Sequence, residues 1–300
     1  METNILLESG TNELEILEFT VGGNHYGINV AKISEILPYT PPTPVPNAHV
    51  SVEGIIKPRG EVISVVSLEK TLNLPGMEDL SKSMYILTSF NRMVTAFHVH
   101  GVVGIQRVSW EEIYTPDKTV SSGDALATGI VKFGDRLVII LDFEKIVADI
   151  APESGIREEQ IANVETHSHT NVPILFAEDS PLLSKLIYNC LQKAGYMNVT
   201  AYPNGLELWN KLLEYKEKGT IKENAALVVT DLEMPQMDGH RLLRNIKTDK
   251  KLMNIPVVIF SSLINEQMRR KGESLGADAQ LAKPEVPELV KVIEGLLHEK

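Results

Sequence analysis

The chain has 300 residues, a hydrophobic content of 43% and a formal net charge of −11 at pH 7. This length and composition allow a sizeable core and suggest about two domains. The negative charge argues against nucleic-acid binding, which needs clustered lysine and arginine. The single cysteine excludes an intrachain disulfide and favours a reducing compartment.

No segment of the sequence predicts insertion into a membrane. Residues 1–8 lack the basic start and long apolar run of a signal peptide. No apolar run elsewhere approaches the roughly 18 residues that would span a bilayer. We therefore expect a cytoplasmic protein, unless a partner holds it elsewhere.

Short alternating segments dominate residues 11–150 and predict an all-β domain. Apolar and polar residues alternate over residues 13–16 and again, shifted by one position, over residues 17–21. Such a shift predicts a bulge or a bend at Ile16-Leu17. A glycine-rich turn follows, and then a second strand begins at Tyr26.

Further strands are predicted along the rest of this half. Residues 32–37 fit either a short helix or a strand, and residues 52–68 fit two strands joined by a turn at Pro58-Arg59-Gly60. The remaining strands are expected at residues 83–90, 93–100, 102–108 and 137–142. Many short strands at this spacing indicate a barrel or a sandwich.

Arg59 is the residue in this half that most suggests a binding function. The turn explains Pro58 and Gly60 but not the arginine, whose guanidinium would point outward from a rigid loop. A solvated turn arginine is the alternative. His98 and His100 share one strand face, but with no cysteine or carboxylate near them in sequence we do not favour a metal site. We find no catalytic constellation, so a binding module is expected.

Two segments of this half resemble the CheW-type coupling domain of bacterial chemotaxis. They are Tyr-Gly-Ile-Asn-Val with Ile-Ser-Glu-Ile, over residues 26–36, and the stretch around the Pro-Arg-Gly turn, over residues 54–68. The resemblance implies two small five-stranded, SH3-like barrels that join chemoreceptor tips to the histidine kinase CheA. It also implies receptor or kinase contacts at Ile33, Glu35, Gly54, Arg59 and Gly60.

The composition changes over residues 151–171, which are predicted to form a linker. This stretch is rich in polar residues with proline and glycine, and residues 157–164 could make a short helix. His167 and His169 could bind a stray metal ion. In a polar linker, solvated histidines are the preferred interpretation.

Apolar strands alternate with amphipathic helices over residues 172–300. Ser180 is a natural N-cap with Pro181 at the first helical position, and apolar residues then recur at three- and four-residue spacing. Cys190 falls on that apolar stripe, so we interpret it as a core residue. Similar helical patterns occur at residues 238–246, 265–274 and 285–297. The five-fold alternation predicts a doubly wound α/β domain with a parallel sheet.

Charged and hydroxyl side chains stand at the ends of four apolar strands in this half. They are, in chain order, Glu178-Asp179, Asp231, Ser261 and Lys283. In an open parallel sheet, ligands bind at the carboxyl ends of the strands. Clustered carboxylates need a cation, and Mg²⁺ suits carboxylates, water and a phosphoryl oxygen. The hydroxyl and the ammonium can hold further phosphoryl oxygens, so the pattern predicts phosphorylation of Asp231.

This arrangement resembles the flavodoxin-like receiver domain of two-component systems. The resemblance implies that Asp231 accepts a phosphoryl group from a kinase phosphohistidine. It implies that Lys283 pairs with that group and that Ser261 moves to hydrogen-bond it. The implied Mg²⁺ ligands are Glu178, Asp179, Asp231 and the backbone carbonyl of Glu233.

Gln280 is a departure from the receiver pattern. Receivers commonly carry an aromatic residue three positions before the lysine, and this residue swings inward together with the hydroxyl. Because Gln280 stands there, we expect the response to run through the Ser261-Ser262-Leu263 loop or through the domain interface.

A coupling domain joined to a receiver is the organisation of the CheV family, which the whole chain resembles. The resemblance implies an adaptor, not an enzyme, that bridges chemoreceptors and CheA and is regulated by CheA-dependent phosphorylation, for adaptation or as a phosphate sink. It implies a cytoplasmic protein recruited to membrane chemoreceptor arrays. The expected boundaries are residues 11–150 for the coupling domain, 151–171 for the linker and 172–300 for the receiver.

Three other functions fit the sequence less well. A phosphatase of the haloacid dehalogenase type needs a second aspartate two residues after the nucleophile, where Glu233 stands. A P-loop nucleotide switch needs a Gly-Lys dipeptide, which the sequence lacks. A response regulator with a DNA-binding output is disfavoured by the acidic charge and by the β-rich first half.

Overall fold

Two stretches of the chain fold around separate hydrophobic cores, with the break near residue 154. The computed structural model describes residues 13–76, 79–90, 93–114, 126–151, 170–283 and 285–298. No helix within these ranges is long and apolar enough to cross a membrane. The predicted linker helix, His167 and His169 lie outside the described residues, and the boundaries at residues 150 and 171 stay predictions.

The described part of the first unit is built from ten strands in two five-stranded sheets. The strands are β1 (Glu13–Val21), β2 (Asn24–Asn29), β3 (Ile33–Pro38), β4 (Val52–Ile56), β5 (Ile63–Ser67), β6 (Met84–Phe90), β7 (Met93–Val99), β8 (Gly101–Ser109), β9 (Ala127–Phe133) and β10 (Arg136–Leu141). The sheet orders are β8-β1-β2-β10-β9 and β3-β6-β7-β5-β4. Each sheet has a single parallel pair, β2 with β10 and β5 with β7. The predicted all-β architecture with two five-stranded sheets is confirmed.

The predicted bulge in β1 is present, but at a different position. The register between β1 and β8 shifts between Glu18 and Phe19, and not at Ile16-Leu17. The alternation breaks at Ile16-Leu17 because β1 is buried on both faces there. Ile16 packs in the core of the first sheet, and Leu17 packs in the core that the two sheets share.

Helix α2 (Phe143–Ile150), which the strand patterns did not predict, lies between the two sheets. Asp142 caps it by accepting a hydrogen bond from the Lys145 N–H at 2.9 Å. The ring of Phe143 meets Phe19 of the first sheet edge-on, with 6.1 Å between centroids, and Phe97 of the second sheet at 4.6 Å. The helix therefore joins both sheets through one shared core. A short helix, α1 (Leu68–Thr71), follows β5.

The second unit is a parallel sheet flanked by helices. Its strands are β11 (Ile174–Ala177), β12 (Val199–Tyr202), β13 (Leu227–Thr230), β14 (Val257–Ser261) and β15 (Ala279–Ala282), in the order β12-β11-β13-β14-β15. Its helices are α3 (Pro181–Lys193), α4 (Gly205–Lys218), α5 (Ile221–Asn224), α6 (Gly239–Thr248), α7 (Glu266–Leu275) and α8 (Val286–His298). The predicted doubly wound α/β fold is confirmed.

Helices cover the parallel sheet on both faces, which explains its uninterrupted apolar strands. Helices α3 and α8 pack on alternate strand residues such as Ile174 and Phe176. Helices α4, α6 and α7 contact one another in series and form the other layer. Ser180 caps α3 by accepting a hydrogen bond from the Leu183 N–H, as its sequence position predicts.

Candidate functional site

The C-terminal edge of the parallel sheet brings the predicted acidic residues together. Glu178 and Asp179 directly follow β11, and Asp231 directly follows β13. The two strands are parallel neighbours, so their carboxyl ends lie side by side. Carboxylate oxygens of the three residues lie within 4.8 Å of one another. Glu178 and Asp231 are buried, whereas Asp179 faces solvent.

Lys283 enters this cluster from the end of β15. Its Nζ atom lies 2.8 Å from Glu178 Oε2 and 2.9 Å from Asp231 Oδ2, and the residue is only 3% exposed. Its backbone N–H donates to the Ser261 carbonyl at 3.1 Å, which fixes the end of β15 beside β14. A buried ammonium is tolerated only when it is paired, and here two carboxylates satisfy it. Three carboxylates against one ammonium still leave excess negative charge.

The carboxylate of Asp231 is held in one orientation. Its Oδ1 accepts a hydrogen bond from the Leu232 N–H at 2.6 Å, while Oδ2 accepts from Lys283. The loop that follows returns onto Asp231, and a Cβ atom at Gly239 would lie 1.9 Å from the Asp231 carbonyl oxygen. Only glycine fits that approach, which explains the Met-Asp-Gly end of the motif. Glu233, in the same loop, is close enough for its charge to act on Asp179.

The electrostatics of the cluster fit a divalent cation. Burial, together with repulsion by Asp231, raises the pKa of Glu178 to about 7, although Lys283 opposes the rise. A bound cation would favour the ionised carboxylates. The donor set is all oxygen and open to solvent at Asp179, which is the chemistry that Mg²⁺ prefers. The residues present therefore fit the implied Mg²⁺.

Ser261 ends β14 and is fully buried. Its Oγ accepts a hydrogen bond from the Leu263 N–H at 3.3 Å, so the hydroxyl is engaged by its own loop. Ser262 and Leu263 are buried as well. A displacement of the Ser261 hydroxyl would therefore disturb the whole loop that leads into α7.

In the first unit, Arg59 and Glu35 form an exposed ion pair. Arg59 Nη2 lies 2.6 Å from Glu35 Oε1, and the arginine side chain is 80% exposed. Arg59 has a left-handed backbone, with a φ of 51°, in the turn after β4, whereas Glu35 lies on β3. Because β3 and β4 are the two edge strands of their sheet, the pair shows that the sheet curls round, as a barrel requires.

The other three predicted contact positions differ in what they offer to a partner. Ile33 is half-buried at the start of β3. Gly54 has a packing reason of its own, since a Cβ atom there would lie 2.2 Å from the Thr43 carbonyl oxygen. Gly60 has a φ of 94° and open space around it, so the turn requires its conformational freedom.

His98 and His100 have carboxylate partners that the sequence did not reveal. His98 Nδ1 lies 3.1 Å from Glu53, and His100 Nε2 lies 2.7 Å from Glu69. The partners lie 45 and 31 residues earlier in the chain, beyond the reach of spacing arguments. Across the described ranges, three or more metal-ligand atoms come together only at Glu178, Asp179 and Asp231.

Both units match known protein families. Residues 15–151 match the CheW-like domain, and residues 174–294 match the response regulator receiver domain. The chain is 26% identical over 302 residues to the chemotaxis protein CheV3 of Helicobacter pylori, covering 95% of each chain. It is 30% identical over 150 residues to the chemotaxis protein CheW of Thermotoga maritima, covering 50% of this chain and 98% of that one.

A solved structure, the scaffolding protein TtCheW from Thermoanaerobacter tengcongensis, is similar with a TM-score of 0.41 and 23% identity, over 43% of this chain and 84% of that chain. The two matched domains occur in the order that the sequence predicts. The similarity to the Helicobacter protein extends across both of them. The chain therefore belongs to the CheV family of chemotaxis coupling proteins, in which a CheW-like domain precedes a phosphorylatable receiver domain.

Proposed function

We propose that this protein is an adaptor that couples chemoreceptors to the histidine kinase CheA and is regulated by phosphorylation of Asp231. The observation that carries the proposal is the position of Asp231. It lies at the edge of the receiver sheet, oriented by the Leu232 N–H and by Lys283, beside two further carboxylates. The same chain carries a CheW-like domain with an exposed ion pair.

In the proposed transfer, an Asp231 carboxylate oxygen attacks the phosphorus of a kinase phosphohistidine. The P–N bond breaks, a P–O bond forms, and the departing imidazole takes a proton from solvent. Lys283 is already 2.9 Å from Asp231 Oδ2, so its ammonium can pair with a phosphoryl oxygen without a large movement. Mg²⁺ held by Glu178, Asp179, Asp231 and the Glu233 carbonyl would neutralise charge on the transferred group.

The phosphoryl group then competes for the Ser261 hydroxyl. Ser261 Oγ would exchange its contact with the Leu263 N–H for a bond to a phosphoryl oxygen, and the loop would follow. A tenfold change in coupling needs only about 1.4 kcal/mol of differential stabilisation. One hydrogen bond to a charged group contributes about 1.5–3 kcal/mol, against about 0.5–1.5 kcal/mol for the neutral bond that is given up. The difference is of the size that a tenfold change needs.

The proposed contact surface for the receptor or the kinase centres on Glu35 and Arg59. The guanidinium is mostly solvated and stands on a tight turn, so a partner can reach it without unfolding anything. Ile33, Gly54 and Gly60 would shape the same surface. Through these contacts the protein would be recruited from the cytoplasm to membrane chemoreceptor arrays.

The test is receptor-stimulated CheA autophosphorylation in reconstituted membranes, comparing wild type with Asp231→Asn in the presence of a phosphodonor. The variant keeps the coupling domain intact, so it should still bind receptor. We expect kinase activity with wild type to drift as phosphate accumulates and activity with the variant to stay constant.

Two results would contradict the proposal. If wild type and variant support the kinase identically, Asp231 does not regulate coupling, and the receiver acts as a phosphate sink. If a folded Asp231→Asn protein no longer binds receptor, Asp231 belongs to the coupling surface itself and the separation of roles is wrong.

A further inference from the structure

Gln280, which stands where receivers commonly carry an aromatic residue, reaches across to helix α7. Its Nε2 donates a hydrogen bond to the Arg269 carbonyl at 2.8 Å. Its Oε1 is buried and has no hydrogen-bond partner among the described residues. A buried acceptor without a donor is unfavourable, so the amide is only half satisfied in this arrangement.

Gly272, one turn further along α7, makes room for this amide. A Cβ atom at position 272 would lie 2.3 Å from Gln280 Oε1, 2.6 Å from its Cδ and 2.9 Å from its Nε2. All three amide atoms therefore lie against the helix backbone at the gap that the glycine leaves. Glycine inside a helix lowers helix stability, and here it permits a contact that alanine would block.

This contact lies close to the loop that connects the phosphorylation site to α7. Gln280 pairs with Ile259 in the sheet, two residues before Ser261, so its backbone is fixed relative to the switch hydroxyl. Helix α7 begins at Glu266, just after the loop in which Ser261 Oγ accepts from Leu263. A movement of that loop would pull on the same helix that Gln280 holds.

Helix α7 is also held by α6. His240 forms a hydrogen bond with the backbone of Met268 and lies close to Lys271. Asp238, which caps α6 at the end of the Asp231 loop, also lies near Lys271. Helix α7 is therefore held by side chains from both α6 and β15, and each contact is only partly satisfied, since His240 Nε2 and Gln280 Oε1 are both buried without a hydrogen-bond partner among the described residues. The glutamine contact is the one that lies on β15, the strand next to the one that ends at Ser261.

We propose that Gln280 is the positioning residue through which phosphorylation is passed to α7. In the resting state its amide holds α7 against β15. When Ser261 moves toward a phosphoryl group, the loop shifts α7, the bond to Arg269 breaks and the amide gains access to water. The inference rests on the proposed phosphorylation of Asp231, and it replaces the rotation of an aromatic ring by the release of an amide.

The test measures amide hydrogen exchange of residues 266–275 in the full chain, with and without beryllofluoride and Mg²⁺ as a phosphoryl mimic. In wild type, the mimic should speed exchange in α7 about fivefold, the effect of losing one hydrogen bond. In Gln280→Met, which keeps the length but cannot donate, exchange should already be fast and the mimic should add little. Gly272→Ala, which displaces the amide but also favours the helix, should likewise lose the response to the mimic, whatever its basal exchange rate.

Gly295→Ala is the matched control, because Gly295 lies in helix α8 with nothing within 4 Å of the added methyl group. It should exchange like wild type in both states. Phosphorylation of Asp231 by a small phosphodonor, followed by intact mass, should be equal in all four proteins. Equal phosphorylation together with a wild-type response of α7 exchange to the mimic in Gln280→Met and Gly272→Ala would overturn the inference alone. Absence of phosphorylation in wild type would overturn the proposed function, and the inference with it.

Discussion

Lys283 and His240 are two buried basic residues of the receiver, and they differ in whether they carry a charge. Lys283 keeps its charge because two carboxylates surround it at 2.8 and 2.9 Å. Burial, together with the neighbouring charge of Lys271, lowers the pKa of His240 to about 3. The lysine is thus a charged part of the site, whereas the histidine is a neutral packing residue.

The stability of the receiver should therefore depend on pH through His240. In the unfolded chain a histidine titrates near pH 6.5. Between pH 6.5 and about 3, His240 is protonated in the unfolded state but stays neutral in the folded receiver. The contribution of His240 to stability is therefore lost as pH falls, by about 1.4 kcal/mol for each unit below 6.5. Glu178, whose pKa is raised to about 7, contributes in the opposite direction, so the effect of His240 is isolated by comparing wild type with a His240 variant.

Urea unfolding of the receiver transition at pH 7 and pH 5.5, in wild type and in His240→Gln, would measure the contribution of His240. His240→Gln should show a smaller loss than wild type, because the variant has no proton to take up there on unfolding. His298→Gln is the control, since His298 is exposed at the end of α8 and its removal should leave the slope unchanged. An identical change in the free energy of unfolding between the two pH values, for wild type and His240→Gln, would show that burial of this ring does not govern the pH response.

At the scale of elements, the charge of Arg59 can be tested separately from the backbone conformation of the turn between β4 and β5. Arg59 has a φ of 51°, a conformation that glycine adopts without strain. Arg59→Gly should therefore keep the turn and the stability of the first unit. It should weaken binding to receptor or kinase about tenfold, the loss expected for one important interfacial charge.

Binding of receptor and CheA by this variant can be measured in a sedimentation assay, with unfolding curves as a check on folding. Arg107→Gly is a useful comparison, because Arg107 also forms an exposed ion pair, with Glu15, but on the first sheet. It should bind like wild type. Equal loss in both variants would mean that overall charge matters and that the turn has no special role.

The elements also show which parts of the molecule the sequence could predict. Local signals predicted the strand ends that carry Glu178, Asp231 and Lys283, because each follows an apolar run in a parallel sheet. Helices α3, α6, α7 and α8 were predicted from caps and apolar spacing.

What the sequence missed depends on contacts between distant residues. Strand β9 and helix α2 were not predicted, although Gly134-Asp135 after β9 and the N-cap Asp142 before α2 are local signals for them. The position of α2 in the core between the two sheets depends on residues far apart in the chain. The position of the β1 bulge depends on burial from both faces. The Gln280 contact needed the geometry of α7, although Gly272 inside a helical pattern was a signal that close packing occurs there.

At the scale of the whole molecule, two units with their own cores share one chain. Calorimetry should therefore resolve two unfolding transitions. Mg²⁺ at a concentration well above its dissociation constant should raise the midpoint of the receiver transition only, because the acidic cluster belongs to that unit. Asp231→Asn removes one charge from the cluster and should reduce this rise.

The assignment of the two transitions can be made with the pH series above, since His240 belongs to the receiver. A single cooperative transition that Mg²⁺ shifts as a whole would show that the two units unfold together. A shift of the other transition alone would place the main Mg²⁺ site outside Glu178, Asp179 and Asp231.

The single cysteine of the chain makes the protein a convenient object for distance spectroscopy. Cys190 is fully buried in the core of the receiver, and burial raises the pKa of its thiol to about 11. At neutral pH it offers almost no thiolate to an alkylating reagent. Cysteines can be introduced at exposed positions, such as Glu61→Cys in one unit and Glu217→Cys in the other. These would react with fluorophores or spin labels while Cys190 stays unlabelled. The native thiol can stay in place while the separation of the two units is followed through a cycle of phosphorylation.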